Sequence, residues 1–261
     1  MSNTKRRVTT HSSNMAVLVG NGVNVNFGGN AYSNSYIIKR IMFNARAHKY
    51  DPLFAGEISG EEIAQIFRKL AQWANDIRTG KYDNVIPAED TRALESFKSR
   101  YNWEIANYYD IGLEDWLFIL KVFYCKTADG SLSWSSIKQG FEHMILDAIY
   151  NDGELNNIYT KMGKQVRKFF MQFSTIFTLN YDSNLEKLTG NSVYHLHGSF
   201  DVQANSENPQ TVQGFLRMKN GEIVTVPGFK HCYCNAVLDY EGENKYRTAE
   251  AFEKEEAVLS S

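Results

Sequence analysis

The sequence predicts an α/β fold in which a parallel sheet carries a large helical insertion or cap. Two short apolar runs, residues 15–19 and 174–179, have the length and composition of buried strands, and each ends abruptly in glycine or polar residues. Most of the chain between them shows helical spacing of apolar residues. A crossover between parallel strands needs only about a dozen residues, so the surplus predicts a helical insertion over residues 35–173.

The helical part is predicted from spacing and capping. After the first strand and a loop through Gly28 and Gly29, residues 35–48 form the first predicted helix. Ser59 and Glu62 have the spacing of a capping box, in which the two side chains bind backbone N–H groups at a helix start. Apolar residues recur at helical intervals behind this box. Further helices are predicted over residues 89–101, 113–124, 135–150 and 154–173.

A third short apolar run begins at residue 193 and ends on His197 and Gly198. Beyond it, a loop is predicted over residues 201–213, a short strand over 222–226 and a helix over 247–259. Together these elements predict a Rossmann-like parallel sheet with a helical insertion. Residues 15–261 are interpreted as one domain behind a disordered leader, residues 1–14.

Composition and charge argue against several classes of function. Of the 261 residues, 43% are hydrophobic, enough for the core of one domain, and the net charge of -2 offers no bulk attraction to nucleic acid. No apolar run approaches the length of a membrane span. The cysteines, Cys125, Cys232 and Cys234, do not suit a disulfide framework and favour a reducing compartment. The sequence therefore predicts a cytoplasmic protein without membrane or nucleic-acid partners.

The first predicted strand runs into a glycine turn, Gly20, Asn21 and Gly22. In open α/β sheets such a turn lets backbone N–H groups approach a phosphate closely. The third glycine of the dehydrogenase fingerprint would fall at Val25, so hydride transfer is disfavoured. Ordinary tight turns also contain paired glycines, and the turn alone does not decide between a nucleotide site and a structural role.

Three segments occur in the order in which a known family carries them. The early LVGNG, the strand end FTLNYDSNLE and the downstream HLHGS resemble the sirtuin family, especially the sirtuin-like NAD-hydrolase domains of bacterial antiphage defence proteins. The resemblance spans residues 17–199, and the intervening helices match only in character. It implies an NAD site and a role in abortive infection, in which depletion of NAD stops growth of the infected cell.

The resemblance assigns the residues that bind NAD. Gly20 and Gly22 would approach the phosphates, Asn21 and Asn24 belong to the same turn, and Gly198 follows the catalytic histidine. Asn21 stands where the family usually has alanine, and Asn24 where it has serine. NAD is expected as a substrate, and no metal is expected.

The resemblance also assigns three catalytic residues, His197, Asn180 and Asp182. The nicotinamide of NAD is a cationic leaving group, so its release depends mainly on stabilising positive charge on the ribose. His197 would take a proton from a ribose hydroxyl or from the attacking water, which suits a side chain with an unperturbed pKa of about 6.5. Asn180 would hold a hydroxyl or the water, and Asp182 would bind ribose hydroxyls or brace the loop. The implied reaction is hydrolysis of NAD to nicotinamide and ADP-ribose.

These residues also have structural interpretations. Asn180 and Asp182 fit an Asx turn in which Asp182 caps a helix over residues 183–188. His197 fits a structural histidine whose ring is satisfied by neighbouring groups. Convergence of the three side chains on one cleft would favour the catalytic interpretation.

A histidine two residues earlier raises the question of a metal site. His195 and His197 would share one face if the strand continued through position 197. His231, Cys232 and Cys234 could supply further ligands. Their spacing matches no common zinc pattern, so core packing is the preferred interpretation.

Two other functions compete with NAD hydrolysis. An NAD-dependent protein deacylase is the weaker one, because three cysteines cannot form the four-cysteine zinc ribbon of the eukaryotic-type enzymes. A non-catalytic sensor or assembly module that binds NAD or ADP-ribose would use the same pocket. Few strands are predicted after Gly198, so the chain is interpreted as the amino-terminal part of a longer protein. Its activity would then depend on self-association or on a partner protein.

Overall fold

The computed structural model describes residues 15–54, 57–127, 133–204, 216–217 and 222–238. The described part is a mixed α/β structure that is mostly helical. The predicted leader over residues 1–14 and the predicted helix over residues 247–259 lie outside the described residues. No helix within these ranges is long and apolar enough to cross a bilayer.

Three parallel strands form the main sheet, in the order β1, β2, β3. They are Ala16–Val19, Thr175–Thr178 and Tyr194–His195. Ala16 pairs with Thr175, and the register continues to the end of both strands. The parallel sheet and the helical insertion between its first two strands are thus confirmed. The third strand is shorter than the apolar run predicted, and His197 lies beyond its end.

Eight α-helices are present in the described ranges. They are α1 Gly22–Gly28, α2 Asn34–Arg46, α3 Gly60–Arg78, α4 Thr91–Arg100, α5 Leu113–Thr127, α6 Trp134–Tyr150, α7 Lys164–Phe170 and α8 Asn184–Thr189. Short 3-10 turns of three or four residues and one longer 3-10 segment connect several of them. The short strand expected near residue 223 is also present, as β5 Ile223–Val224, which pairs antiparallel with β4 Leu216–Arg217.

The capping box at the start of α3 is confirmed. The backbone N–H of Glu62 donates to Ser59 Oγ at 3.3 Å, and the backbone N–H of Ser59 donates to Glu62 Oε2 at 2.8 Å. These two bonds satisfy groups that the first helical turn leaves without intrahelical partners. They explain why α3 begins where the sequence predicts.

Two predictions about local structure were wrong. The segment after the glycine turn is a helix, α1, where a loop through Gly28 was expected. The single helix expected over residues 154–173 is instead a 3-10 segment, Asn151–Lys161, followed by α7. Met162 and Gly163 have extended backbone, so a continuous α-helix cannot form over residues 154–173.

The core lies among α2, α3, α5 and α6, which form the main helical body. Phe67 and Trp116 pack edge to face at 5.3 Å, and Trp73 stacks on Phe123 at 3.8 Å. Most aromatic side chains of the insertion lie in this core or pack against it. Trp103 is an exception, with 55% of its surface exposed.

Candidate functional site

A cavity of about 300 Å³ lies at the carboxyl end of the parallel sheet. Five polar side chains of the predicted site line it: Asn21, Asn24, Asn180, Asp182 and His197. The apolar part of its wall includes Ile37, Ile149, Leu155, Leu179 and Leu238. An apolar cavity with a few convergent polar groups is the usual form of a small-molecule site.

The parallel strands explain why these distant residues meet. Asn21 follows β1, Asn180 follows β2 and His197 follows β3, so all three lie past the carboxyl ends of neighbouring strands. In open parallel sheets this edge is where ligands bind. Val19 pairs with Thr178 at the ends of β1 and β2. The residues that follow these two strands therefore lie side by side.

Asn180 is held in place by both its backbone and its side chain. Its N–H donates to Thr178 Oγ1 at 3.0 Å, and its Nδ2 donates to the carbonyl of Gly20 at 3.4 Å. Its own carbonyl accepts from His195 Nδ1 at 2.8 Å. The residue is 8% exposed, so its position is determined by the turn after β1 as much as by its own strand.

His195 has a role that its position in the sequence did not reveal. Its Nδ1 donates to the Asn180 carbonyl and its Nε2 contacts Glu186 Oε1 at 2.7 Å. Burial alone lowers the pKa of His195, but the hydrogen bond and charge of Glu186 and the bond to Asn180 raise it above its usual value. Both ring nitrogens face acceptors, so the protonated ring can donate to both, and it fixes the backbone carbonyl of Asn180. It does not pair with His197 as a metal ligand in this arrangement.

Asp182 accepts hydrogen bonds on both carboxylate oxygens. Oδ1 accepts from the backbone N–H and from Nδ2 of Asn184, at 3.1 and 2.6 Å, and Oδ2 accepts from Asn24 Nδ2 at 2.6 Å. The first of these bonds is the Asx turn that the sequence pattern allows. Burial raises the pKa of Asp182, and the bonds from Asn24 and Asn184 offset that rise only in part. The carboxyl group is therefore buried, and its direct partners are neutral amides.

The glycines of the predicted site differ in what surrounds them. A Cβ at Gly20 or Gly22 would meet no atom within 4 Å. Gly198 has a φ of 77°, and a Cβ there would stand 2.1 Å from the carbonyl oxygen of Asn235. Gly198 is thus required by close backbone packing, while the two earlier glycines border open space.

Several lining residues were not predicted from the sequence. Glu114 and Leu113 come from the start of α5, Asn34 from the start of α2, and Leu238 from the last described segment. None of these residues belongs to a motif, and they reach the cavity only because the helical insertion packs over the end of the sheet. No local signal in the sequence could have assigned them to the site.

The segment over residues 229–238 closes one side of the site. The N–H of Val237 donates to the carbonyl of His197 at 2.9 Å, and Tyr181 Oη donates to the carbonyl of Val237 at 3.1 Å. The N–H of Ser199 donates to Asn235 Oδ1 at 2.8 Å. These bonds fix the backbone on both sides of Gly198 and so determine where the His197 ring can lie.

The other end of this segment is held by a second buried carboxylate. Asp147 Oδ1 accepts from His231 Nε2 at 3.0 Å, and Asp147 Oδ2 contacts Lys49 Nζ at 2.8 Å and accepts from Tyr50 Oη at 2.9 Å. We call Asp147, Lys49, Tyr50 and His231 the Asp147 cluster. Burial by itself raises the pKa of Asp147, but the bonds from His231 and Lys49 and the charge of Lys49 outweigh it, and the net pKa lies below the usual value.

Two of the metal-ligand candidates of the sequence, His231 and Cys232, lie next to Asp147. Their ligand atoms and that of Asp147 lie within 4.8 Å of one another. Lys49 already supplies a cation to Asp147, and burial raises the pKa of the Cys232 thiol. The thiol donates to the carbonyl of His143 at 3.3 Å. The contacts are those of a hydrogen-bonded anchor for residues 229–238.

Comparison of the chain with protein-family models, curated proteins and solved structures finds no match.

Proposed function

We propose that the cavity binds NAD and hydrolyses its nicotinamide–ribose bond, releasing nicotinamide and ADP-ribose. The observation that supports this most is the convergence of Asn24, Asn180, Asp182 and His197, which come from three distant segments, on one cavity. These are the segments that carry the sirtuin resemblance. A proton acceptor, neutral amides and a carboxyl group that line one cavity are the kind of arrangement that marks a catalytic site.

The proposed reaction assigns each polar group a task. Water adds to the anomeric carbon of the ribose as the bond to the nicotinamide nitrogen breaks, and the nitrogen keeps the bonding electrons. His197 takes the proton of the water or of the adjacent ribose hydroxyl. Asn180, oriented by the His195 cation, holds the hydroxyl or the water. The negative charge of Asp182 stabilises the positive charge that develops on the ribose.

The size of the cavity suits one half of the dinucleotide. Its volume of about 300 Å³ is at the lower end of small-molecule sites, which fits the nicotinamide riboside half better than the whole of NAD. The phosphates would then lie outside, along the turn of Gly20 and Gly22, where a side chain would meet no neighbouring atom. In this proposal the sheet is a Rossmann-like one that binds its ligand at the carboxyl ends of the strands.

The biological setting belongs to the same proposal. The resemblance to antiphage sirtuin-like domains suggests a cytoplasmic enzyme that depletes NAD during abortive infection. Its activity would be controlled by self-association or by a partner protein, because an enzyme that destroys NAD must stay inactive in a healthy cell.

Nicotinamide release from NAD by the purified protein tests the proposal, both alone and with any natural partner. His197→Ala and Asn180→Ala are each expected to reduce the rate by about 100-fold or more, the usual contribution of a positioned proton acceptor or of an oriented polar group. The matched controls are His48→Ala and Asn157→Ala, which remove an exposed side chain of the same type away from the cavity.

Three outcomes have distinct meanings. Loss of activity in the two site variants but not in the controls supports the proposed site. Variants as fast as the active wild type contradict it. Tight NAD binding by a wild type that releases no nicotinamide would favour the sensor alternative.

A further inference from the structure

Helix α7 and the residues around it carry an excess of positive charge. Residues 155–181 contain four basic residues and no acidic one. The basic residues are Lys161, Lys164, Arg167 and Lys168, and all four are exposed. None of their side chains has an ion-pair or hydrogen-bond partner among the described residues. The described part of the chain therefore leaves this positive charge uncompensated.

Apolar side chains are exposed beside these cations. Phe169 is 50% exposed and Met171 is 51% exposed. Met15, at 45%, belongs to the same region, because its carbonyl accepts from the backbone N–H of Ser174 at 2.9 Å. We call the four cations and these three apolar side chains the α7 surface. An exposed apolar patch bordered by polar residues is a recognised mark of an interaction site.

The chain also carries a segment of opposite charge. Residues 239–261 contain seven acidic and three basic residues, and the sequence predicts a helix over residues 247–259. At about 100° per residue, the larger apolar side chains of this helix fall on one side. They are Phe252, Val258 and Leu259, with Ala251 beside them. Glu255 falls within the same arc, so this side of the helix combines apolar groups with a negative charge.

We propose that residues 247–259 dock on the α7 surface of the same chain. Phe252 and Leu259 cover the exposed apolar side chains, and Glu255, on the same side of the helix, pairs with the cations. The contact removes apolar area from water and compensates charge on both partners. The α7 surface is therefore a docking site for an acidic amphipathic helix.

The chain is long enough for this contact. Eight residues, 239–246, connect Leu238 to the acidic segment, and they span up to about 28 Å when extended. Leu238 lines the cavity at the carboxyl end of the parallel sheet, and α7 leads into the amino end of β2. A four-residue strand is about 13 Å long. The connection therefore exceeds the length of the sheet and allows docking within one chain.

A second exposed surface, on α2, competes for the same segment. It consists of Tyr36, Lys39, Phe43 and Arg46, which are also aromatic and basic. Lys39 Nζ already lies 4.9 Å from the centroid of the Tyr36 ring. Because this surface has two exposed cations where the α7 surface has four, it attracts an acidic helix less strongly. It provides the matched control.

Charge reversal in the full-length chain tests the proposal, and hydrogen–deuterium exchange of residues 247–259 is the measurement. The α7 variant combines Lys164→Glu, Arg167→Glu and Lys168→Glu. Each exposed ion pair is weak, but three reversals together should accelerate exchange in the segment by on the order of tenfold.

A compensating variant separates lost docking from other effects of the reversal. Adding Glu253→Lys, Glu255→Lys and Glu256→Lys to the α7 variant restores opposite charges and should return exchange toward the wild-type rate. The control variant, Lys39→Glu with Arg46→Glu, should leave exchange unchanged. All substituted residues of α7 and α2 are exposed, and urea unfolding checks that each variant is folded.

Acceleration in the α7 variant and recovery in the compensated protein support the docking. An unprotected segment in the wild type, unchanged exchange in the α7 variant, or acceleration without recovery overturns it. Acceleration by the α2 control alone also overturns it. Protection that depends on protein concentration would assign the α7 surface to a second copy. Binding to phosphatidylserine vesicles that only the α7 variant loses, with unchanged exchange, would assign it to a lipid surface. The test involves no NAD, so its result is independent of the proposed function.

Discussion

Asp182 and Asp147 are both buried carboxylates with several hydrogen-bond donors, but their pKa values shift in opposite directions. Burial raises the pKa of Asp182, whose bonded partners are the neutral amides of Asn24 and Asn184. Burial acts in the same sense on Asp147, but hydrogen bonds from His231 and Lys49 and the positive charge of Lys49 lower its net pKa. The number of hydrogen bonds is similar, and the charge of the donors makes the difference.

The two environments suit two tasks. In the Asp147 cluster the negative charge of Asp147 is compensated by Lys49, which is in direct contact with it. Asp147 therefore stabilises the packing of residues 229–238 and exerts little electrostatic effect on its surroundings. At Asp182 the charge of His195 acts without a hydrogen bond, and His195 is already paired with Glu186. The charge of Asp182 is therefore available to a cationic group in the cavity. A buried carboxylate with neutral donors is a better indicator of a ligand site than one with a bound lysine.

The two regions are also connected through residues 229–238. His231 binds the Asp147 cluster, while Val237 binds the carbonyl of His197. Substitutions in the Asp147 cluster should therefore lower the free energy of unfolding directly. They should change the cavity only indirectly, through residues 229–238.

The largest effect is expected from Asp147→Ala. It removes the closer of the two carboxylates that face Lys49 and the acceptor of the Tyr50 hydroxyl, and breaking a buried ion pair from one side costs about 3 to 5 kcal/mol. The free energy of unfolding from urea denaturation measures the loss. Asp152→Ala is the control, because that carboxylate is 87% exposed and lies 3.6 Å from the same lysine. Equal effects of the two variants would mean that Asp147 is not the anchor of the cluster.

A smaller loss is expected from His231→Ala, which removes one donor to Asp147 and the ring that stacks on Tyr150 at 4.4 Å. Loss of one partner in a buried hydrogen bond costs about 1 to 3 kcal/mol. The KM for NAD should also rise, since residues 229–238 support His197. Lys230→Ala, at an exposed neighbouring position, serves as the control. A destabilised protein with an unchanged KM would disconnect the cluster from the cavity.

The pH dependence of stability should differ in sign between the two carboxylates. The pKa of Asp147 is lowered on folding, so its stabilising contribution is present above the usual value of 3.8 and is lost as the pH falls below that value. The pKa of Asp182 is raised, so its ionisation costs stability, and that cost is relieved as the pH falls toward 3.8.

Urea unfolding of wild type, Asp147→Asn and Asp182→Asn over a range of acidic pH measures both trends. On acidification the wild type should gain stability relative to Asp182→Asn above pH 3.8, and should lose its advantage over Asp147→Asn below it. If the stability difference from wild type changed with pH in the same direction for both variants, the opposite pKa shifts of Asp147 and Asp182 would be contradicted.

The smallest effect on stability is expected from Gly20→Ala. The added Cβ meets no atom within 4 Å, so the free energy of unfolding should change by no more than about 0.5 kcal/mol. NAD binding should nevertheless weaken, because the methyl group occupies the space proposed for the phosphates. Unchanged NAD affinity, measured by calorimetry, would remove Gly20 from the site.

Local patterns in the sequence were sufficient for several parts of the fold. The capping box of Ser59 and Glu62 determines its own geometry within four residues, and the apolar runs mark β1 and β2. The polar residues Asn180 and His197 are visible in the sequence because each stands at the end of a short apolar run. The break between the 3-10 segment and α7 was missed because Met162 and Gly163 have extended backbone, which a helical pattern of apolar residues does not exclude.

The sequence by itself determined that polar residues end neighbouring strands and that these endings resemble an NAD site. Only the tertiary structure decided how they are connected: Asn24 and Asp182, 158 positions apart, share a hydrogen bond, and His195 binds the carbonyl of Asn180 instead of pairing with His197. The physical reason is that hydrogen-bond polarity and charge compensation depend on which groups packing brings within about 3 Å of one another. For residues so far apart, that proximity is a property of the folded core and not of any local pattern.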